Sequence, residues 1–234
     1  TLRVMESDGS NVRIIASPDP QDSDSYPLNV YDISDGGATV VYIRRVDHNG
    51  FQWINEIRVF DTATNTDSLV VAELPHLSSN VSNPRQVSNE MGDGTHLLVL
   101  SGDGQIAYMG NDFGPVGSGN DSAEPDGNTI YRIEVASGQV TKVISDRDLP
   151  TITGINPNAQ QVFVSGVALA TNGDGSILMV PIGAGGGRPS ARSLLHVDMG
   201  SGTSSVAVNM QSMSGFSPDM TGPELSSDGE FVVF

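Results

Sequence analysis

The chain contains no cysteine, which excludes disulfide staples and thiolate metal sites. It is nearly without lysine as well. Lys142 stands alone in a set of 11 basic residues that faces 28 acidic ones, for a formal charge of −17. Such a surface repels phosphate backbones and anionic headgroups, so nucleic acid is not expected as a partner. No apolar stretch approaches the ~20 residues needed to span a bilayer, and membrane insertion is not expected. A basic, then apolar, leader is missing from the opening TLRVMESDGS, and no initiator Met is present. The chain is therefore read as a processed form or an excerpt. Helical signals are almost lacking: no window of helical length repeats apolar residues at i, i+3, i+4, i+7 behind a capping residue. Tryptophan occurs once, at position 53.

What is there is punctuation. With 27 glycines, 13 prolines and many Asn, Asp and Ser, the chain breaks into short runs rich in Val and Ile. They read VVYI (40–43), IRVF (57–60), LLVL (97–100), FVSGVAL (163–169), ILMV (177–180) and FVVF (231–234). Strands of this length between turn residues predict an all-β fold.

Two elements recur along the chain. The first is a tight turn followed by a strand: SDGGATVVYI (34–43), SGDGQIAYM (101–109), NGDGSILMV (172–180) and SSDGEFVVF (226–234). Asp-Gly marks a hairpin turn, because Gly accepts positive φ and Asp tolerates it. The second is a hairpin: LRVMESDGSNVRII (2–15), IRVFDTATNTDSLVV (57–71), YRIEVASGQVTKVI (131–144) and LHVDMGSGTSSVAV (195–208). Its first arm ends on Glu6, Asp61, Glu134 or Asp198. Gly9, Asn65, Gly138 or Gly202 then supplies a left-handed turn. The elements alternate and together make a four-stranded antiparallel meander. A lone meander leaves a face uncovered, whereas copies stacked radially cover both faces, which is a β-propeller. The aspartates of the first element, at 35, 103, 174 and 228, are unevenly spaced. Insertions are thus expected at 75–95, 110–128 and 146–162, as loops on the propeller rims.

These motifs carry a family resemblance. GPELSSDGEFVVF (222–234) resembles the first half of a TolB-like propeller repeat, in which Pro, a bulky residue and Ser precede Asp-Gly and an apolar strand. LRVMESDGSNVRIIAS (2–17) resembles the second half, and Gln86 to Ser145 resembles a full repeat with an expanded loop. The usual Ser is replaced at Ile33 and Thr171. The resemblance implies a propeller of four-stranded antiparallel blades, about four of them visible, as the whole or part of a larger ring. It also implies one of several roles: periplasmic scaffold, sugar- or peptide-binding surface protein, or the propeller of a serine peptidase. Residues 1–234 read as a single propeller domain or segment with its first and last blades each half present. Either 1–17 and 222–234 make one blade, or the chain is cut from a longer propeller.

Candidate chemistry is sparse. His48, His76, His96 and His196 share no metal-binding spacing, and His196 falls on a strand. No GxSxG elbow occurs. GAGGGRP (183–189) lacks the Lys-Ser/Thr of a phosphate loop and is expected to be an inter-strand loop. The loop 110–128 is acidic, with Asp112, Asp121, Glu124 and Asp126 among three asparagines. Hard cations want such oxygens, so Ca²⁺ is the one cofactor the pattern suggests, against the plainer reading of a solvated rim loop. SPDPQDSDS (17–25) is a weaker case of the same kind. Phe51 and Trp53, expected between two strands of a blade, suit contact with a protein or glycan; the alternative for Trp53 is an inter-blade core. The function expected is a non-enzymatic binding or scaffold propeller, exported to the periplasm, cell surface or medium. It would contact a protein or glycan through rim loops and assemble with further blades or copies of itself. The alternative is the propeller of a hydrolase or peptidase.

Overall fold

A computed structural model describes residues 1–17, 26–48, 52–72, 98–110, 129–153, 162–164, 169–184, 191–209 and 223–233. These form a β-propeller. Blade one is the antiparallel sheet β3 (Tyr26–Ile33), β4 (Thr39–His48), β5 (Gln52–Asp61) and β6 (Thr66–Val71), paired in that order. Blade two is β7 (Leu98–Leu100), β8 (Ile106–Gly110), β9 (Thr129–Glu134) and β10 (Val140–Ser145), again paired in order. In blade three, β13 (Ile177–Ala184), β14 (Ala191–Asp198) and β15 (Thr203–Asn209) follow an inner edge split into β11 (Val162–Val164) and β12 (Ala170–Thr171). Of the run 163–169, Phe163 and Val164 lie on β11, and 165–168 lie outside the described residues. Two smaller hairpins remain: β1 (Leu2–Val4) with β2 (Arg13–Ala16), and β16 (Glu224–Leu225) with β17 (Val232–Val233).

The apolar runs are continuous, not alternating, because both faces of each blade are covered. Along β7 and β8 the side chains divide by parity. Leu98, Leu100, Ala107 and Met109 join Val41, Ile43 and Ile57 in a core between blades one and two. Val99, Ile106 and Tyr108 turn the other way and pack with Leu178, Val180 and Leu195 of blade three. The flanking hairpins repeat this scheme. β1–β2 sets Leu2, Val4, Ile15 and Ala16 against Val40, Tyr42 and Phe60 of blade one. β16–β17 sets Leu225 and Val232 against Met179 and Leu194 of blade three.

The second recurrent hairpin turns as its sequence suggests. Gly9, Asn65, Gly138 and Gly202 all have positive φ, and Asp61 and Asp198 each accept two backbone N–H bonds within their turns. One expectation needs correction. The segment 146–162 is not wholly a rim loop, since a short helix α1 (Leu149–Thr153) fills its first part and buries Leu149 in the core between blades two and three. Buried Asp146 just before it accepts a hydrogen bond from Val164 N of blade three at 2.6 Å, tying one blade to the next.

Candidate functional site: the cup at the inner turns

Inner strands come together in sequence, β3 beside β7, β7 beside β12 and β12 beside β16. Their leading turns thus gather at one end of the propeller axis. All four turns share one set of bonds. The first residue is Ser34, Ser101, Asn172 or Ser226, and its side-chain oxygen accepts from the backbone N–H five positions on, at 3.1, 2.9, 2.9 and 2.9 Å. Its carbonyl accepts from the fourth residue, Gly37, Gly104, Gly175 or Gly229, each with positive φ. An L side chain would be strained there, which is why glycine occupies all four positions.

This alignment corrects the sequence reading. Asp35 is not the counterpart of Asp103, Asp174 and Asp228. Those three stand third in their turns, where blade one has Gly36. Asp35 stands second, where the others have Gly102, Gly173 and Ser227. Likewise Ile33 and Thr171 do not hold the place of the usual serine, which belongs to Ser34 and Asn172.

The turns are stitched to one another. Asp35 N donates to Gly102 O at 2.9 Å, Asp103 N to Gly173 O at 2.7 Å and Gly173 N to Ser227 O at 2.8 Å. Ser227 Oγ donates back to Asp35 Oδ2 at 3.3 Å, which returns the series to blade one. Glycine at 102 and 173 permits this approach. A Cβ at Gly102 would run into the Asp35 carboxylate, and one at Gly173 into Ser227.

Within the ring lies a cup of about 550 Å³ lined by Asp35, Asp103, Asn172, Asp174, Ser176, Ser227 and Asp228, with Ile177 as the apolar contributor. Among the described residues, no histidine, lysine or arginine is in this lining. Three of the carboxylates are held by their own turns. Asp103 Oδ1 accepts from Ser101 Oγ and Gln105 N, Asp174 Oδ1 from Asn172 Nδ2 and Ser176 N, and Asp228 Oδ1 from Ser226 Oγ and Glu230 N. Hydrogen bonds from Ser176 hold Asp174 below its usual pKa, and those from Ser226 and then Glu230 do the same for Asp228. Four carboxylates at one mouth make a site that rejects anions and attracts cationic groups. The described residues bring no three His, Asp or Glu side chains together to ligate a metal ion.

A pH prediction follows. Asp8, Asp61, Asp174, Asp198 and Asp228 all titrate below the usual aspartate range in the folded state, held there by hydrogen bonds within their turns. A carboxylate with a lowered folded pKa stabilises above its unfolded pKa and loses that contribution as pH falls through the folded value. Melting temperature should be flat from about pH 7 to 5 and fall below about pH 4. Asp228→Asn, which keeps the Oδ1 acceptor, should flatten part of that fall; an unchanged acid limb would refute the assignment for Asp228.

Two buried tyrosines are structural. Tyr42 and Tyr108 are each pushed up to about 12, chiefly by burial. Tyr42 OH bonds to Asp67 Oδ1 at 3.0 Å, and Tyr108 OH donates to the Gly175 carbonyl of blade three.

The turn aspartates apart, the residues named from the sequence as binding, metal or histidine candidates lie away from this mouth or outside the described residues. Trp53 falls on β5 opposite Asp47, rather than between strands. Phe51, Asp112, Asp121, Glu124, Asp126, His76 and His96 lie outside the described residues, as does the greater part of 183–189. His196 is half-buried on β14, facing Met179 and Ser205 across its two ladders. The sequence reading missed Asn172, Ser176 and Ser227. For Asn172 the signal was the recurrence of a side-chain acceptor two residues before Asp, visible in SGDG, NGDG and SSDG; no local pattern marked Ser176 or Ser227.

Known proteins share this architecture. A structure from a study of two prolyl endopeptidases matches with a TM-score of 0.50 at 12% identity, over 95% of this chain and 26% of that one. The tricorn protease matches with a TM-score of 0.49 at 11% identity, over 96% of this chain and 16% of its own. The propeller domain of the Trilobed protease from Pyrococcus furiosus matches with a TM-score of 0.42 at 12% identity, over 79% of this chain and 41% of its own. The chain therefore spans less than half the length of each of these matched chains. No protein-family model matches it, and no curated protein matches it by sequence. These likenesses concern the fold. The match at a TM-score of 0.50 overturns the expectation that the chain is not enzymatic, because a propeller of this shape occurs in a structure from a study of prolyl endopeptidases and the lack of a catalytic motif does not set such a chain apart from enzymes.

Proposed function

We propose that the chain is the propeller portion of a larger hydrolytic enzyme, of TolB-like ancestry and exported, and that its acidic axial mouth admits or orients cationic peptide segments. The observation that carries this reading is the convergence of Asp35, Asp103, Asp174 and Asp228 on one cup. The peptidase setting of propellers with this fold supports it. Peptide is preferred over glycan because the lining offers formal charge and, among the described residues, one isoleucine but no aromatic platform.

The experiment is titration of tetra-arginine, tetraglycine and tetraglutamate into the protein at low and moderate salt. Tetra-arginine should bind, the others should not, and added salt should weaken the binding because the cup opens to solvent. Asp103→Asn, Asp174→Asn and Asp228→Asn together preserve the turn acceptors and remove three charges. They should weaken tetra-arginine by about tenfold, from screened interactions of a few tenths of a kcal/mol to 1 kcal/mol each. Equal affinity for all three peptides, or no loss in the triple variant, would remove the mouth from consideration.

A further inference from the structure

The axial ring has one link unlike the others. Three of its joints are backbone hydrogen bonds of 2.7 to 2.9 Å. The fourth, Ser227 Oγ to Asp35 Oδ2, is an exposed side-chain bond of 3.3 Å. It is also where packing changes. Blade one shares a core with blade two, blade two with blade three, and blade three with β16–β17. No such core joins β16–β17 to blade one among the described residues, and β17 does not pair with β1. The β16–β17 hairpin has two residues per strand, and Phe231 and Val233 on it are 69% and 72% exposed.

Asp35 is out of pattern in two ways that bear on this seam. Its position is filled by Gly102, Gly173 and Ser227 in the other turns, so the turn itself does not call for a carboxylate. Where Asp103, Asp174 and Asp228 spend Oδ1 on their own turns, the side-chain bond of Asp35 crosses to another hairpin. We propose that Asp35 and Ser227 form a latch that holds the β16–β17 hairpin to blade one, and that its release opens this seam while blades one to three stay folded. The hairpin keeps its place on blade three through Gly173 N–Ser227 O and the Leu225 and Val232 packing. Since Ser227 and Asp228 wall the cup, an open seam widens the mouth from the side. That consequence rests on the mouth being the functional site; the latch does not.

Hydrogen exchange read by mass spectrometry on the whole chain tests it, with Asp35→Ala, Ser227→Ala and the double variant. Each single variant should speed exchange in 224–233 by roughly fivefold, the loss expected for one modest hydrogen bond, and leave Ile106–Gly110 unchanged. The double variant should add nothing beyond either single, because both remove the same bond. Unchanged exchange, additive effects in the double variant, or acceleration spread equally through blade two would each overturn the latch. None of these readouts involves peptide binding, so failure of the latch and failure of the proposed ligand are separable.

Discussion

Gly175→Ala is expected to destabilise the fold by about 3 kcal/mol. Two costs add at this position. Its φ is +71°, where an L side chain loses roughly 1–2 kcal/mol. A Cβ there would stand 2.8 Å from the Ile106 Cβ of blade two, and overpacking of that kind costs about 1–3 kcal/mol. Gly202→Ala separates the terms. It has φ of +67° but nothing within 4 Å, so it carries the conformational cost alone, about 1 kcal/mol. Denaturant midpoints for the pair decide the matter. Equal losses would mean that the blades do not approach as closely at Gly175 as the geometry requires.

Leu178→Ala should cost more than a surface truncation by a wide margin, about 3–4 kcal/mol against less than about 0.5 for Val206→Ala. Leu178 is fully buried in the core shared by blades two and three, while Val206 on the outer strand of blade three is 39% exposed. The loss should appear in a single transition reported equally by probes in both blades, since the cavity lies between them. A transition confined to blade three would show that the blades unfold as separate units.

Legibility in the sequence followed the range of the interactions. The short Val- and Ile-rich runs and the left-handed turn residues Gly9, Asn65, Gly138 and Gly202 are local features, and they stood out. The offset of Asp35 did not. SDGG offers two successive glycines, and only the backbone shows that Gly37, not Gly36, takes the positive φ. Helix α1 was passed over because five residues carry no periodicity; its signals were Asp148 just before it and Pro150 in its first turn. The cup was beyond reach for a different reason. Ser227 and Asp35 are 192 residues apart, and their meeting depends on the blades stacking in order about one axis. No local spacing encodes that.

The parity of β7 and β8 has a consequence for how the chain finds its alignment. In a sheet with one wet face, a shift of one residue puts apolar groups in water, and solvent rejects the error. Here Val99 and Leu100, or Ala107 and Tyr108, face two dry cores, so a shifted strand exchanges one oily neighbour for another. Solvent is nearly blind to that mistake. The task of counting falls to the bonds of the turn, above all Ile106 N to Ser101 Oγ and Ser101 N to Ile106 O, which allow one pairing of the strands that leave it. Ser101 then serves as a ruler for the two strands on either side of it. Its loss would be felt less as one missing bond than as a population of molecules whose central strands have paired one step out of place.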